Sequence, residues 1–335
     1  MKYYIEVKNS NKAKRDIDQI LRNKQWHDLG FRKKSDNGAM RFFDKLCGLF
    51  FALIKLKKGD VIFLQYPYKK FYKITCLTAH LKGAKVVAVV HDLGAFRRHK
   101  LTEQEENKRL NATDCLIVHN EAMEEHLLKY GFKKPILNLG IFDYIVGVKP
   151  QEVQPAHTPW SIVYAGGLSR RRNTFLYNLN EDSMQTWQME LYGNGFNEEE
   201  CHNRKIHYHG LRDSDDFVAN IEGDFGLVWD GDKVDCCNGA WGEYLKINNP
   251  HKTSFYICAG LPVIVWSKAA MADFVRKNDV GIIVDGLEKI DEALAKVTPE
   301  RYAEMRRNAL SMSEKLREGY YIEKSISDAF KKLGV

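Results

Sequence analysis

The residues whose types and spacing best suit phosphate chemistry lie between Glu243 and Val265. Asn249 suits a helix N-cap, Pro250 the first helical position, and Gly260 the residue just past the end, with Pro262 beyond it. This spacing predicts a helix of about ten residues. The first turn of a helix presents backbone N–H groups without intrahelical partners at the positive end of the dipole, and both features attract anions. Lys252 adds a full charge in that turn, and Ser254 adds a hydroxyl. Gly166-Gly167 follows an apolar run, so a ligand can approach the backbone there without meeting a side chain. Arg170, Arg171 and Arg172 stand close behind as candidates to neutralise a diphosphate. A plain glycine turn is the simpler alternative for that pair. Gly193-Asn194 follows the next apolar run and is placed to sit beside a base or ribose. Neither glycine pair has the third glycine of a dinucleotide fingerprint, which disfavours nicotinamide chemistry. Asp230-Gly231-Asp232 has the form of a metal-binding D-x-D, a pattern common enough to arise by chance. Asp230 is read instead as a contact to sugar hydroxyls, which carboxylates recognise through paired hydrogen bonds, and no metal is expected.

These residues follow strand-like runs, and the runs follow one another in a regular rhythm. The first set is Tyr3–Val7, Val61–Gln65, Lys85–Val90, Cys115–His119 and Ile136–Leu139, each followed by a loop and then a helical pattern. Val86 to Val90 is apolar throughout, as a strand covered on both faces requires. Between Val148 and Trp160 three prolines interrupt the pattern, which reads as a linker. The rhythm restarts with Ser161–Ala165, Gln188–Tyr192, Lys205–Tyr208, Phe225–Trp229, Pro262–Val265 and Gly281–Val284. The expected fold is therefore α/β, with two Rossmann-like doubly wound domains and ligands held at the carboxyl ends of their strands. The expected divisions are a first domain over 1–150, a linker over 151–158, a second domain over 159–315, and a C-terminal helix over 316–335 that packs back on the first domain. The last charged, helical stretch runs from about Pro299 to Leu333 and is interrupted by Gly319.

The chain has 335 residues, a length suited to two domains of roughly 150 residues each. No run approaches the ~20 apolar residues of a membrane-spanning helix. The longest candidate, Phe42 to Leu56, is broken by Asp44, Lys45 and Lys55. The amino terminus lacks the pattern of a secretory signal, so a cytoplasmic protein is expected. The seven cysteines are scattered, without metal-binding spacing, and read as reduced structural thiols. Charge is uneven. Residues 1–150 carry 29 basic against 16 acidic residues, a net +13, whereas 151–335 carry 22 against 28, a net −6. A basic half suggests an acidic partner. Nucleic acid is disfavoured because no recognised binding motif is present. Lys69-Lys70-Phe71-Tyr72-Lys73 and Phe96-Arg97-Arg98-His99-Lys100 interleave cations with aromatic residues, a mixture suited to peripheral contact with an anionic membrane.

The segment from Glu243 to Val265 resembles the donor-binding element of GT-B glycosyltransferases, in particular the bacterial galactofuranosyltransferase-like and glucosyltransferase group. Further pieces resemble the same group in matching order: Phe63 to Pro67, His91-Asp92-Leu93, Leu139 to Tyr144, Tyr164 to Leu168, and Leu227 to Gly231. The resemblance implies two domains facing across a cleft. It also implies a helix beneath the nucleotide diphosphate, with donor-binding roles for Asn249, Lys252 and Ser254 and a place for Tyr244 in the same element. The implied activity is transfer of a hexose, galactofuranose or glucose, from a UDP-sugar substrate, with no cofactor. The acceptor is a glycan, glycolipid or glycoprotein in cell-surface polysaccharide assembly. Such transfer requires stabilisation of the leaving diphosphate and, for inversion, a base for the acceptor hydroxyl. His91 or Asp92, at the end of the strand Lys85–Val90, is the expected base, with His119 as second choice and Asn120 read as a helix cap. Two rival readings are an epimerase that hydrolyses its nucleotide-sugar and a non-catalytic partner subunit. A homo-oligomer is compatible with the sequence, which specifies no state.

Overall fold

The computed structural model describes residues 1–6, 11–30, 38–68, 71–98 and 101–335, without the side chains of 38–41, 44 and 45. Val7, Lys69, Lys70, His99 and Lys100, which the sequence reading places in a strand and in two basic runs, lie outside the described residues.

The chain forms two compact units, Met1–Asp143 with Gly319–Val335 and Tyr144–Glu318. The first is built on six parallel strands: β1 (Lys2–Tyr4), β2 (His27–Asp28), β3 (Val61–Tyr66), β4 (Lys85–Val90), β5 (Cys115–Val118) and β6 (Ile136–Asn138). Their order is β2-β1-β3-β4-β5-β6. β4 is central, and Val86 to Val90 are all fully buried, as their apolar run requires. The first three helices are α1 (Lys12–Asn23), α2 (Gly38–Lys55) and α3 (Phe71–Leu81). α1 begins where the Asn11 side chain accepts a bond from Lys14 N. β2 was not anticipated. It is two residues long at the sheet edge, too short to carry a periodic signal.

The second unit is also a six-stranded parallel sheet: β7 (Trp160–Gly167), β8 (Trp187–Asn194), β9 (Ile206–Tyr208), β10 (Phe225–Val228), β11 (Val263–Trp266) and β12 (Gly281–Val284), in the order β12-β11-β10-β7-β8-β9. Its core gathers Trp187, Trp229, Phe175 and Phe225, all at 0% exposure. Each such side chain contributes roughly 1.5–3 kcal/mol on burial. β7 and β8 extend past the apolar runs so that Gly166 pairs with Gly193 and Gly167 with Asn194. The strand ends thus carry Gly166-Gly167 and Gly193-Asn194 into the sheet itself.

The first unit ends at Asp143, earlier than the prolines at 150–159 suggest. Those prolines mark an extended segment that is held to the second unit. His157 donates its backbone N–H to Asp224, and Arg306 reaches the Glu152 carbonyl at 3.4 Å. The charged terminal stretch divides at Gly319 into helices Pro299–Glu318 and Tyr320–Leu333, which belong to different units. The second of these packs on β5 and β6. Its first turn donates two backbone bonds to the Asp143 carboxylate, from Tyr321 at 3.0 Å and Ile322 at 2.7 Å. Asp143 therefore caps a helix more than 170 residues away in sequence. Burial pushes its carboxyl up to about 7 despite those two donors.

Candidate functional site

In the second unit the helix His251–Cys258 is positioned by three contacts before any ligand is considered. Tyr256 Oη accepts the Ala165 N–H at 2.7 Å, which pins the helix to the end of β7. Gly226 makes room for this, because a Cβ there would lie 2.1 Å from the Tyr256 ring. Ser313 Oγ donates to the Cys258 carbonyl at 2.6 Å and satisfies part of the helix C-terminus. The aromatic face of Phe255 stacks on Phe217 at 4.1 Å and on Tyr144 at 5.1 Å.

The N-cap differs from the sequence expectation. Pro250, with φ −68° and ψ 136°, occupies it, and the helix has eight residues instead of about ten. Proline fits because its extended ψ ends the incoming chain while its missing N–H is one the helix cannot use. Asn249 stands one residue before the cap and is 4% exposed. Tyr244, at the end of the short helix Gly239–Tyr244, is 3% exposed.

Lys252 lies at the centre of this arrangement. Its Nζ sits 3.5 Å from the centre of the Tyr164 ring, shielded from solvent and without a hydrogen-bond partner among the described residues. Its Cε comes within 3.4 Å of where a Cβ on Gly166 would stand, so the lysine crosses the strand end that the glycine leaves open. Burial pushes its ammonium down to about 7, against the opposing pull of Asp230. Three neighbours in sequence share its condition: Asn248 Oδ1, Thr253 Oγ1 and Ser254 Oγ are also buried without partners. Buried polar atoms are nearly always paired, and each unpaired one costs about 1–3 kcal/mol. Four within seven residues at a helix N-terminus describe a polar cradle that an anion rich in acceptor and donor sites can satisfy.

Arg172 and Asp230, singled out separately in the sequence, bond to each other. Arg172 donates from Nε at 2.8 Å and from Nη2 at 3.0 Å to the two carboxylate oxygens, and its guanidinium lies 4.1 Å over the Trp241 ring. Asp230 is 3% exposed and fully engaged by this fork. Arg170 pairs with Glu200, whereas Arg171 is exposed. Among the described residues no group of three or more His, Cys, Asp and Glu side chains is arranged to hold a metal. Gly193 is required by geometry: at φ +146° a Cβ would fall 1.8 Å from the Gly166 carbonyl oxygen. Gly166 and Gly167 are exposed, as is Asn194 beside them.

Residues overlooked in the sequence complete the frame. Asn173 is fully buried, donates to the Gly167 carbonyl at 2.7 Å and accepts from Tyr164 Oη at 2.7 Å. It thereby ties the glycine turn to the ring under Lys252. Trp241, Thr253 and Asn173 were not singled out by spacing, and Tyr164 was read only as part of a strand and of the stretch Tyr164 to Leu168; the contacts of Asn173 and Tyr164 arise only on folding.

In the first unit, His91 and Asp92 follow β4 directly. His91 Nε2 lies 2.8 Å from Gln65 Oε1, and its ring stacks on Phe142 at 5.3 Å. The Gln65 amide is oriented by its other end, where Nε2 donates to Asp18 at 2.6 Å and to the Lys14 carbonyl at 3.2 Å. Both partners can only accept, so Gln65 presents its oxygen to His91, and His91 Nε2 carries the proton. In the neutral ring the nitrogen able to take a proton is then Nδ1. Asp92 is held at Oδ2 by Arg97 and by Arg98 at 2.9 Å, while its Oδ1 is buried and unpartnered. His119 donates from Nε2 to the Val90 carbonyl at 3.0 Å, and burial pushes it down to about 4. It is 1% exposed. Asn120 caps the helix after it through Met123 N.

Comparison with known proteins places the chain in a family. A family model described as "Glucosyltransferase 3-like, C-terminal domain" matches residues 162–329, and its N-terminal counterpart matches 4–141. The chain is 35% identical over 279 residues to the Escherichia coli beta-1,6-galactofuranosyltransferase WbbI, covering 82% of this chain and 78% of that one. It is 28% identical over 283 residues to glucosyltransferase 3 of Streptococcus gordonii, covering 81% and 79%. Among solved structures, Anabaena HepE in complex with UDP and glucose superposes with a TM-score of 0.61 over 98% of this chain and 99% of that one, at 10% identity, a likeness of fold alone. With both halves matched, the chain belongs to the glucosyltransferase 3-like family and is a glycosyltransferase of GT-B architecture.

Proposed function

We propose that this glycosyltransferase takes a hexose, galactofuranose or glucose, from a UDP-sugar and transfers it to a glycan, glycolipid or glycoprotein acceptor in cell-surface polysaccharide assembly. The observation that carries the reading is the buried, unpartnered Lys252 ammonium beside Thr253 and Ser254 at a helix N-terminus. A diphosphate supplies the acceptor atoms these groups lack. WbbI, by its name, transfers galactofuranose, and HepE was solved with UDP and glucose, which supports the donor class.

In the proposed reaction the acceptor hydroxyl oxygen attacks the anomeric carbon, the bond from that carbon to the phosphate oxygen breaks, and UDP leaves with the electron pair. Lys252 and the helix dipole stabilise the charge that develops on the diphosphate without needing a metal. Gly166, Gly167, Gly193 and Asn194 line the backbone approach. Tyr244 and Asn249 brace the helix start, and Arg172 fixes Asp230 so that its carboxylate keeps one orientation; Arg171 is exposed beside them. If configuration inverts, His91 Nδ1 takes the acceptor proton, with Asp92 the alternative.

The test is calorimetric titration with UDP, GDP, UDP-glucose, UDP-galactofuranose and UDP-GlcNAc, repeated on Lys252→Ala. Micromolar UDP binding, weakened at least 100-fold in the variant, is expected. Absence of binding to any nucleotide would overturn the reading and leave a partner subunit. Acceptor-free consumption of UDP-GlcNAc would point to an epimerase.

A further inference from the structure

Helices α2 and α3 of the first unit each carry two apolar faces, and only one of the two is covered. On α2, Leu49, Ala52 and Leu56 just beyond its end are buried, while Phe42, Phe43, Leu46, Phe50, Leu53 and Ile54 are 45–59% exposed. These fall at i, i+1, i+4, i+8, i+11 and i+12, one continuous stripe of a helix. On α3, Tyr72, Cys76 and Ala79 are buried, while Ile74, Leu77 and Leu81 are 46%, 57% and 75% exposed at i, i+3 and i+7. The two helices touch, with Phe42 edge-on to Phe71 at 5.3 Å. Nine large apolar side chains on adjoining helices form a patch of a kind that soluble surfaces rarely leave open.

The stretch of sequence that carries this patch is basic. Residues 38–82 contain nine Lys and Arg against two Asp, a net +7 that equals the net charge of the whole chain. One of those aspartates, Asp60, is 6% exposed and is paired with the amino terminus. Lys55, Lys57, Lys58 and Lys73 are exposed, and Lys55 lies over the Phe51 ring at 5.3 Å. A second protein copy would bring like charge against like charge, whereas a leaflet of anionic lipids offers hydrocarbon for the stripe and negative headgroups for the lysines. We propose that the exposed faces of α2 and α3 form a membrane-docking surface that seats the protein on an anionic bilayer. The inference rests on the first unit alone and stands whether or not the donor assignment above holds.

Co-sedimentation with vesicles of phosphatidylcholine alone and of phosphatidylcholine with about one third phosphatidylglycerol tests it, because only the second carries a negative surface potential. Wild type is expected to sediment with the anionic vesicles, less at higher salt, and at least tenfold less strongly with the neutral ones. Leu53→Glu combined with Leu77→Glu, both solvent-facing, should weaken binding at least tenfold while the circular dichroism spectrum and the melting temperature are retained. Phe50→Trp should show a blue-shifted emission that brominated lipid quenches. Failure of wild type to bind anionic vesicles, or an unquenched Trp, would overturn the proposal. So would light scattering showing that the double glutamate variant turns a dimer into monomers with vesicle binding unchanged.

Discussion

The two sheets end in polar clusters built on opposite principles. After β4, His91 is held by Gln65, which is itself held by Asp18 and Lys14, while Asp92 Oδ1 beside them is buried without a partner among the described residues. Around β7 and the helix His251–Cys258, four polar atoms are buried without a hydrogen-bond partner among the described residues. The first arrangement spends its hydrogen bonds on orienting one ring; the second keeps them in reserve. A satisfied network stabilises the fold and sets a geometry. An unsatisfied one costs stability in the free protein and returns it when a ligand arrives. Under the proposed function, the difference is that between a site that positions a base and a site that takes up a ligand.

Substitutions sharpen that contrast because the two clusters should respond with opposite sign. The largest effect is expected for His91→Ala, which removes the proposed base. Turnover should fall by about 10²–10⁴-fold with UDP affinity unchanged, measured by single-turnover transfer. A rate within threefold of wild type would remove His91 from the chemistry. Gln65→Leu should destabilise the protein by about 1–3 kcal/mol in urea melts, because Asp18 loses a donor and His91 an acceptor. It should also shift the pH profile of turnover, since His91 is no longer held in one tautomer. A purely structural Gln65 would leave that profile in place.

Lys252→Met is the counterpart in the other cluster. The Lys252 pKa is lowered on folding to about 7, so between pH 7 and 10.5 the unfolded chain binds more protons than the folded one. Wild-type stability from this group therefore rises with pH through that window, and the penalty is fully present below 7. Lys252→Met should be more stable than wild type at pH 6.5, with the difference closing by pH 10.5, by thermal melts. A variant less stable than wild type at every pH would show that the lysine is a packing element. The smallest effect on the ligand is expected for Thr253→Val, which removes a buried hydroxyl without a partner among the described residues: it should stabilise the free protein by about 1–3 kcal/mol while weakening UDP several-fold by calorimetry.

Much of this was legible in the chain. Val86 to Val90 declared a central strand because every residue is apolar. Pro250, Lys252 and Gly260 marked a helix and its charge because caps act through adjacent residues. What escaped was non-local. Asn173 and Thr253 look like ordinary polar residues until the sheet buries them. The Arg172–Asp230 fork joins residues 58 apart, and neither residue predicts the other. The prolines at 150–159 mimicked a free linker because rigidity and exposure share a composition, and only Asp224 and Arg306 reveal that the segment is fastened down. Pro250 itself was assigned one place too late, because proline fits both the cap and the first turn.

Gly319 divides two helices that belong to different units, and the order of synthesis follows from that division. A ribosome that has released residues 1–143 has delivered all six strands of the first sheet but not the helix Tyr320–Leu333 that packs on β5 and β6, nor the N–H groups that Asp143 accepts. The second unit, contiguous from Tyr144 to Glu318, can close as it emerges. The first unit is therefore completed last, and until then the part of β5 and β6 that this helix covers stays open for the whole time that the second unit takes to be made.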